Sequence, residues 1–219
     1  MLIKAQNIRK RYGRRLPLVI NDISLEIDEG ETLGIFGESG SGKSTIGHIL
    51  SGIIPPTEGR IFYDDNEIKY PFKGDPRRRI QILFQHPEVS FNPKITLFKS
   101  ICEPYQFFNL PYSRESICED LERFGIYDEH LDRLPLSLSG GELQRLALAR
   151  IMSVRPKFII LDEPTSMLDV ISQAQVIKML NELQMQYGLG YLFISHDRLL
   201  CETFCDRILD LKKGSLESD

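Results

Sequence analysis

The sequence predicts an α/β fold with a mostly parallel core sheet, an N-terminal antiparallel β region and a helical subdomain. Three observations carry that prediction. Gly37-Glu38-Ser39-Gly40-Ser41-Gly42-Lys43-Ser44-Thr45 joins a strand-like run, Glu31–Phe36, to a helix-like run, Ile46–Ser51. Two continuous apolar runs, Phe158–Leu161 and Tyr191–Ile194, end in Asp162-Glu163 and Ser195-His196-Asp197, as strands covered on both faces of a parallel sheet do. From Pro93 to Arg133 the apolar period becomes helical, through Leu97, Ile101, Tyr105 and Phe108, then Ile117, Leu121, Phe124 and Ile126.

Composition sets the outer limits. With 219 residues, 42% hydrophobic and 26% charged, the chain suits one sizeable core with a smaller subdomain attached. A single domain over 1–219 is expected. Residues 1–86 and 154–219 would form the core, and 87–153 a helical subdomain. A net charge of −4 gives no reason to expect nucleic acid as a partner, and Arg77-Arg78-Arg79 reads as a solvated lead-in to a strand. No apolar stretch reaches the ~20 residues of a membrane span, and Met1-Leu2-Ile3-Lys4-Ala5 is no signal peptide, so a membrane role would be peripheral. Four cysteines, Cys102, Cys118, Cys201 and Cys205, fit a reduced, cytosolic setting. Cys201 and Cys205 would share a helix face, where burial is a better reading than a metal site, because no His or Cys pair with zinc spacing accompanies them.

In chain order, Ile23, Leu25 and Ile27 alternate with Ser24 and Glu26 as in a half-buried antiparallel strand. Tyr12 falls in a loop between two strands. Arg60–Tyr63 and Ile80–Phe84 read as strands, the second ending at Gln85, and Phe91-Asn92-Pro93 halts regular structure. A helix begins after Ser139-Gly140-Gly141 and runs from Glu142 to Val154. Another covers Ile171–Tyr187, closed by Gly188 and Gly190. A last helix, Leu199–Cys205, precedes a hairpin around Gly214. Four strands thus end in polar groups, at Gly37, Gln85, Asp162-Glu163 and His196, and open parallel sheets bind ligands at that edge.

The pattern Gly-x4-Gly-Lys-Ser between a strand and a helix is a phosphate-binding loop, in which backbone N–H groups and the helix end cradle phosphate oxygens. Lys43 would reach the β- and γ-phosphates and the Ser44 hydroxyl would ligate magnesium. Asp162 fits the second magnesium anchor. Glu163, which cannot point the same way, suits the general base that polarises the attacking water. Ser139 with Glu142 reads as a capping box, yet such a box does not require two successive glycines, so Ser139, Gly140 and Gly141 also read as a second anion site. Two phosphate-binding helix ends in one chain suggest that two chains share each nucleotide.

These segments together resemble an ATP-binding cassette (ABC) ATPase, within the P-loop NTPase class, from Leu2 to about Glu217. Besides the phosphate loop they are the glutamine loop Phe84-Gln85, the signature Leu138-Ser139-Gly140-Gly141-Glu142-Leu143-Gln144-Arg145, the second Walker motif Phe158–Glu163, the D-loop Ser166-Met167-Leu168-Asp169 and the switch histidine His196. The resemblance implies ATP hydrolysis with magnesium, Tyr12 stacking on adenine, Asp169 and the signature at the nucleotide, and Gln85 at magnesium and the attacking water. It implies a head-to-tail pair of ATP-binding subunits, identical or not, on the cytoplasmic face of a membrane. Transmembrane permease subunits and, indirectly, an extracellular substrate-binding protein would be partners.

Gln85-His86-Pro87, Phe91-Asn92-Pro93 and Glu103-Pro104 are most similar to the peptide/opine/nickel importer group, with His86, Phe91 and Met167 as departures. The chain stops soon after Gly214, whereas many peptide-importing members continue, so nickel, metallophore or opine uptake is expected to be at least as good a reading as peptide. The alternatives are an exporter-type cassette, which shares every catalytic motif, and a soluble non-transport ABC ATPase. The latter is disfavoured by the short stretch between Gln85 and the signature and by the single cassette.

Overall fold

The computed structural model describes residues 1–217. Its chain orders β1 (Ile3–Lys10), β2 (Ile20–Ile27), β3 (Thr32–Phe36), α1 (Lys43–Leu50), β4 (Glu58–Tyr63), β5 (Asn66–Ile68), α2 (Asp75–Arg79) and β6 (Ile80–Leu83). Then follow α3 (Leu97–Phe107), α4 (Arg114–Glu122), α5 (Asp128–Leu131), α6 (Gly140–Met152) and β7 (Phe158–Asp162). The chain closes with α7 (Val170–Tyr187), β8 (Gly190–Ser195), α8 (Arg198–Phe204), β9 (Arg207–Lys212) and β10 (Ser215–Glu217). These elements fall into two compact units. One holds Met1–Ile82, Lys157–Glu163 and the chain from Leu183 onward, and the other Leu83–Pro156 with Pro164–Glu182.

The first unit carries two sheets. One has the order β2-β1-β4-β5 and is antiparallel throughout. The other has the order β10-β9-β3-β8-β7-β6, in which β9, β3, β8 and β7 run parallel. Their residues explain the difference. In β2, Ile20, Ile23, Leu25 and Ile27 are buried while Asn21, Asp22, Ser24 and Glu26 face solvent, the alternation of a sheet with one wet face. In β7 and β8 every residue is buried, so their apolar runs are continuous. A core of Ile3, Leu33, Ile35, Ile46, Ile49, Ile160, Leu192 and Ile194 fills the unit. Helix α1 lies close on the parallel sheet because Gly47 faces it, where a Cβ would come within 3.0 Å of Ile194 and 3.1 Å of Ile160.

Some sequence readings change. β1 is one continuous strand of eight residues. Asn7, at φ 50°, sits at a register shift that lets the strand continue. Arg77-Arg78-Arg79 closes a short helix, with Arg79 Nε donating to Asp75 Oδ1 at 3.3 Å. Gly188, at φ 64°, follows α7, but Gly190 is the first residue of β8, where a Cβ would meet Leu2 at 2.6 Å. Cys201 is fully buried. Cys205 packs on β3, its Sγ 2.8 Å from where a Cβ on Gly34 would stand.

The second unit is helical. Leu97, Ile101 and Tyr105 of α3, Ile117 and Leu121 of α4, Leu131 of α5, and Leu146 and Leu148 of α6 are buried, as their spacing predicts.

Candidate active site

The phosphate loop is glycine-rich for steric reasons visible at two positions. A Cβ on Gly37 would lie 2.5 Å from the Leu211 carbonyl and 2.9 Å from Ser41 Oγ. Gly42, at φ 107°, would drive a Cβ to 2.7 Å from Ile20. Gly42 is also the residue before α1 and offers no side-chain cap, so no side chain occupies the first-turn N–H groups of that helix. Glu38, Ser39 and Gly40 form an exposed rim. Ser41 Oγ is buried with no hydrogen-bond partner, an orphaned polar atom inside the cradle.

Lys43 is only 5% exposed, and its Nζ donates to the Gly37 and Glu38 carbonyls at 2.7 and 2.9 Å. Two of its three N–H groups thus close the loop and one remains. Beside it, Ser44 Oγ donates to Asp162 Oδ1 at 3.1 Å. Asp162 stands at the end of β7, and burial pushes its carboxyl above the usual carboxylate range. The Ser44 hydroxyl and the His48 and Lys43 charges pull it back, while Glu163 adds to the rise. The pair tests well as a magnesium site. It offers a hydroxyl and a carboxylate, both hard oxygens, and magnesium typically takes one or two protein oxygens together with substrate phosphates. Among the described residues no cluster of three or more His, Cys, Asp or Glu could hold a metal ion.

Glu163 parts from Asp162 by a backbone device. Its φ is 47°, in the left-handed region that a glutamate rarely adopts, and its N–H donates to the Ile194 carbonyl at 2.9 Å. Its Oε2 lies 3.0 Å from His196 Nδ1, so the ends of β7 and β8 hold a carboxylate–imidazole pair. Tyr12, 57% exposed, keeps its ring open while its hydroxyl lies 3.3 Å from Thr45 Oγ1 and Lys10 Nζ stands 5.3 Å from the ring centroid. Tyr12, the loop, Asp162, Glu163 and His196 therefore belong to one unit.

The remaining candidates belong to the second unit. Gln85 Nε2 donates to Ser166 Oγ at 3.3 Å. A cavity of about 110 Å³ is lined there by Gln85, His86, Gly140, Gln144, Met167 and Leu168 among others. Ser139 caps α6, and Glu142 completes the capping box. Gly141 has a packing reason besides, since a Cβ would come within 3.3 Å of Ser172 Oγ. Asp169 caps the start of α7, accepting from the Ile171 and Ser172 N–H groups, both at 3.0 Å, and from the Ser172 hydroxyl at 2.8 Å. Those bonds, led by the Ser172 N–H, hold its carboxyl below the usual range. Sequence reasoning places Gln144 in the signature but gives it no role of its own. It is 2% exposed, and its amide donates to the Pro164 carbonyl at 2.8 Å, tying α6 to the turn that follows Glu163. The available signal is a lone amide on the buried face between Leu143 and Leu146.

A strand, a glycine loop closed by a buried lysine and a helix, with a hydroxyl–carboxylate pair alongside, define a P-loop nucleotide-binding protein. The model of the family described as "ABC transporter" matches residues 20–166, and the chain belongs to that family. It is 41% identical over 196 residues to the oligopeptide transport ATP-binding protein AppF of Bacillus subtilis, covering 86% of this chain and 60% of that one. The dipeptide transport ATP-binding protein DppF of Escherichia coli is 36% identical over 231 residues, covering 97% of this chain and 68% of that one. The chain thus spans about three-fifths of the length of AppF. Among solved structures, the dimeric post-hydrolysis state of the ATP-binding cassette MJ0796, bound to ADP and Pi, has a TM-score of 0.85 at 29% identity. It covers 99% of this chain and 97% of that one.

Proposed function

We propose that this chain is the ATP-hydrolysing subunit of an ABC importer, with peptides as the substrate class. The geometry of Ser44, Asp162, Glu163 and His196 in one unit is the observation that carries the enzymatic reading. The names of AppF and DppF favour peptide over nickel, metallophore or opine. Both are transport ATP-binding proteins, which favours transport over a soluble ABC ATPase. The loop N–H groups and Lys43 bind the triphosphate, Tyr12 receives the adenine, and Ser44 with Asp162 would hold magnesium, whose charge offsets that of the β- and γ-phosphates. Glu163 takes a proton from the attacking water, and His196, bonded to the same carboxylate, orients it and faces the developing charge on the transferred group.

A second ATP-binding subunit completes the site by bringing its Ser139, Gly140 and Gly141 to the γ-phosphate. The dimeric state of the MJ0796 neighbour supports this pairing. The two-part organisation proposed is a catalytic core, 1–86 and 154–219, with a helical subdomain, 87–153, that carries the signature. No helix among the described residues is long and apolar enough to cross a membrane. The proposed place, which the transport names of AppF and DppF support, is peripheral, at the cytoplasmic face, against permease subunits.

Glu163→Gln tests the reading. The amide keeps its shape and loses its basicity, so ATP binding persists while turnover falls by roughly 10²–10⁴, the usual worth of a general base. Turnover near the wild-type rate removes Glu163 from that role.

A further inference from the structure

The capping box at the head of α6 holds a conflict. Ser139 Oγ donates its single proton to Glu142 Oε2 at 2.7 Å, and the Ser139 N–H donates to the same oxygen at 2.8 Å. In return the Glu142 N–H donates to Ser139 Oγ at 3.3 Å. A hydroxyl has one proton to give, and a phosphate oxygen, being an acceptor, can bond Ser139 only by taking that proton. Carboxylate and phosphate are rivals for it.

The carboxylate is also fixed as an anion. The Ser139 hydroxyl and N–H hold its titration below the usual carboxylate range, with His130 and Arg145 acting in the same direction. His130 is 8% exposed and accepts the Tyr127 N–H on Nδ1 at 3.0 Å. Its Nε2 stands 3.8 Å from Glu142 Oε1. Glu142 is thus held by Ser139 on one side and flanked by His130 on the other, with its charge beside the hydroxyl that the proposed shared site offers to a nucleotide.

We propose that Glu142 gates Ser139: its carboxylate takes the hydroxyl proton and repels a phosphate approaching Ser139, so that closure of two copies of this chain on ATP requires Ser139 to change partner. This rests on the shared-site reading above. A glutamine at 142 would keep the capping box, because Ser-x-x-Gln serves as well as Ser-x-x-Glu. It would remove the charge, and its NH2 group could donate to Ser139 Oγ, releasing the hydroxyl proton.

The test uses the full chain in the slow-turnover Glu163→Gln background, with ATP-dependent dimerisation read by sedimentation. Glu142→Gln is expected to lower the dimer dissociation constant about fivefold, the worth of one like charge at a partly solvated site. In the hydrolysing chain it should lower the KM for ATP. Both gains should shrink in 1 M salt, where the Debye length is roughly 3 Å. A residue that merely caps a helix would show none of this. Glu142→Ala, which loses the cap, is the control, expected to lower the melting temperature.

Unchanged or weaker dimerisation of Glu142→Gln overturns the gate. The underlying reading is tested separately, by mixing Ser139→Arg with Lys43→Ala chains, which should restore part of the ATPase activity. Restoration together with an inert Glu142→Gln refutes the gate alone. No restoration, with no ATP-dependent dimer in either background, refutes the shared site in two copies of this chain and the gate with it.

Discussion

Arg150 offers the sharpest test of how the second unit is held. Its Nε donates to the Ser100 carbonyl at 3.0 Å, another N–H bonds the Ser90 carbonyl, and Nη2 lies 2.6 Å from Glu103 Oε2. The guanidinium stands 5.6 Å from the Phe91 ring centroid. The Ser100 carbonyl needs Arg150 for a reason written in the sequence. It lies on α3, and the amide that would normally close its helical bond belongs to Pro104, which has no N–H. Arg150→Met keeps most of the stem and removes every donor. Leaving two carbonyls without their donors costs about 1–3 kcal/mol each. The Glu103 pair, half-exposed, contributes under about 1 kcal/mol. After allowance for solvent reaching the exposed side, a net loss of about 3 kcal/mol is expected, seen as a lower urea midpoint at unchanged slope. Pro104→Ala should then act as a partial cure, because alanine supplies the missing amide. In the Arg150→Met background it should recover at least about 1 kcal/mol more than in the wild type, as a double-mutant cycle reads it. A loss below about 1 kcal/mol for Arg150→Met, or additivity within about 0.5 kcal/mol in the cycle, refutes the reasoning.

Asp162 and Tyr12 yield two more predictions. Burial raises the Asp162 carboxyl above its ordinary value near 3.8, so in the window from there upward the folded state binds more protons than the unfolded one, and stability falls as pH rises through it. Asp162→Asn should therefore melt higher than wild type at pH 7, with the difference closing as pH approaches 4, while losing magnesium-dependent nucleotide binding; a melting temperature lower at pH 7 than at pH 4 relative to wild type contradicts this. Tyr12→Ala should leave thermal stability nearly unchanged, since the ring is largely exposed, and weaken ATP binding by about 1–3 kcal/mol, the worth of a base–aromatic stack; fluorescence titration with a labelled ATP analogue reads it, and unchanged affinity takes adenine away from Tyr12.

Much of the core is legible because its signals are redundant. β3, the loop and α1 announce themselves through a motif and two flanking patterns, and β7 and β8 through unbroken apolar runs that only a doubly covered strand tolerates. Where a single signal stands alone, it misleads. The three arginines read as a solvated lead-in do run straight into β6, and what the sequence reading lacks is that Pro76 at the start and Asp75 four residues before Arg79 make them the end of a short helix. The two glycines after Ser139 look purely functional, but Gly141 also makes room for Ser172. Asp169, expected at the nucleotide, also caps the first turn of α7. No residue type foretells the left-handed backbone at Glu163 or the reach of Gln144 to a carbonyl, because both are fixed by partners distant in sequence.

The backbone at Glu163 sets stability against activity at one codon. A left-handed φ costs an ordinary side chain roughly 1–2 kcal/mol, which glycine avoids and asparagine reduces. A population of variants sorted only for heat resistance would drift away from glutamate at this position, whereas one sorted for turnover would hold it. The two screens would disagree here while agreeing over most of the apolar core, so position 163 can be found blind, as the place where robustness and work are traded against each other.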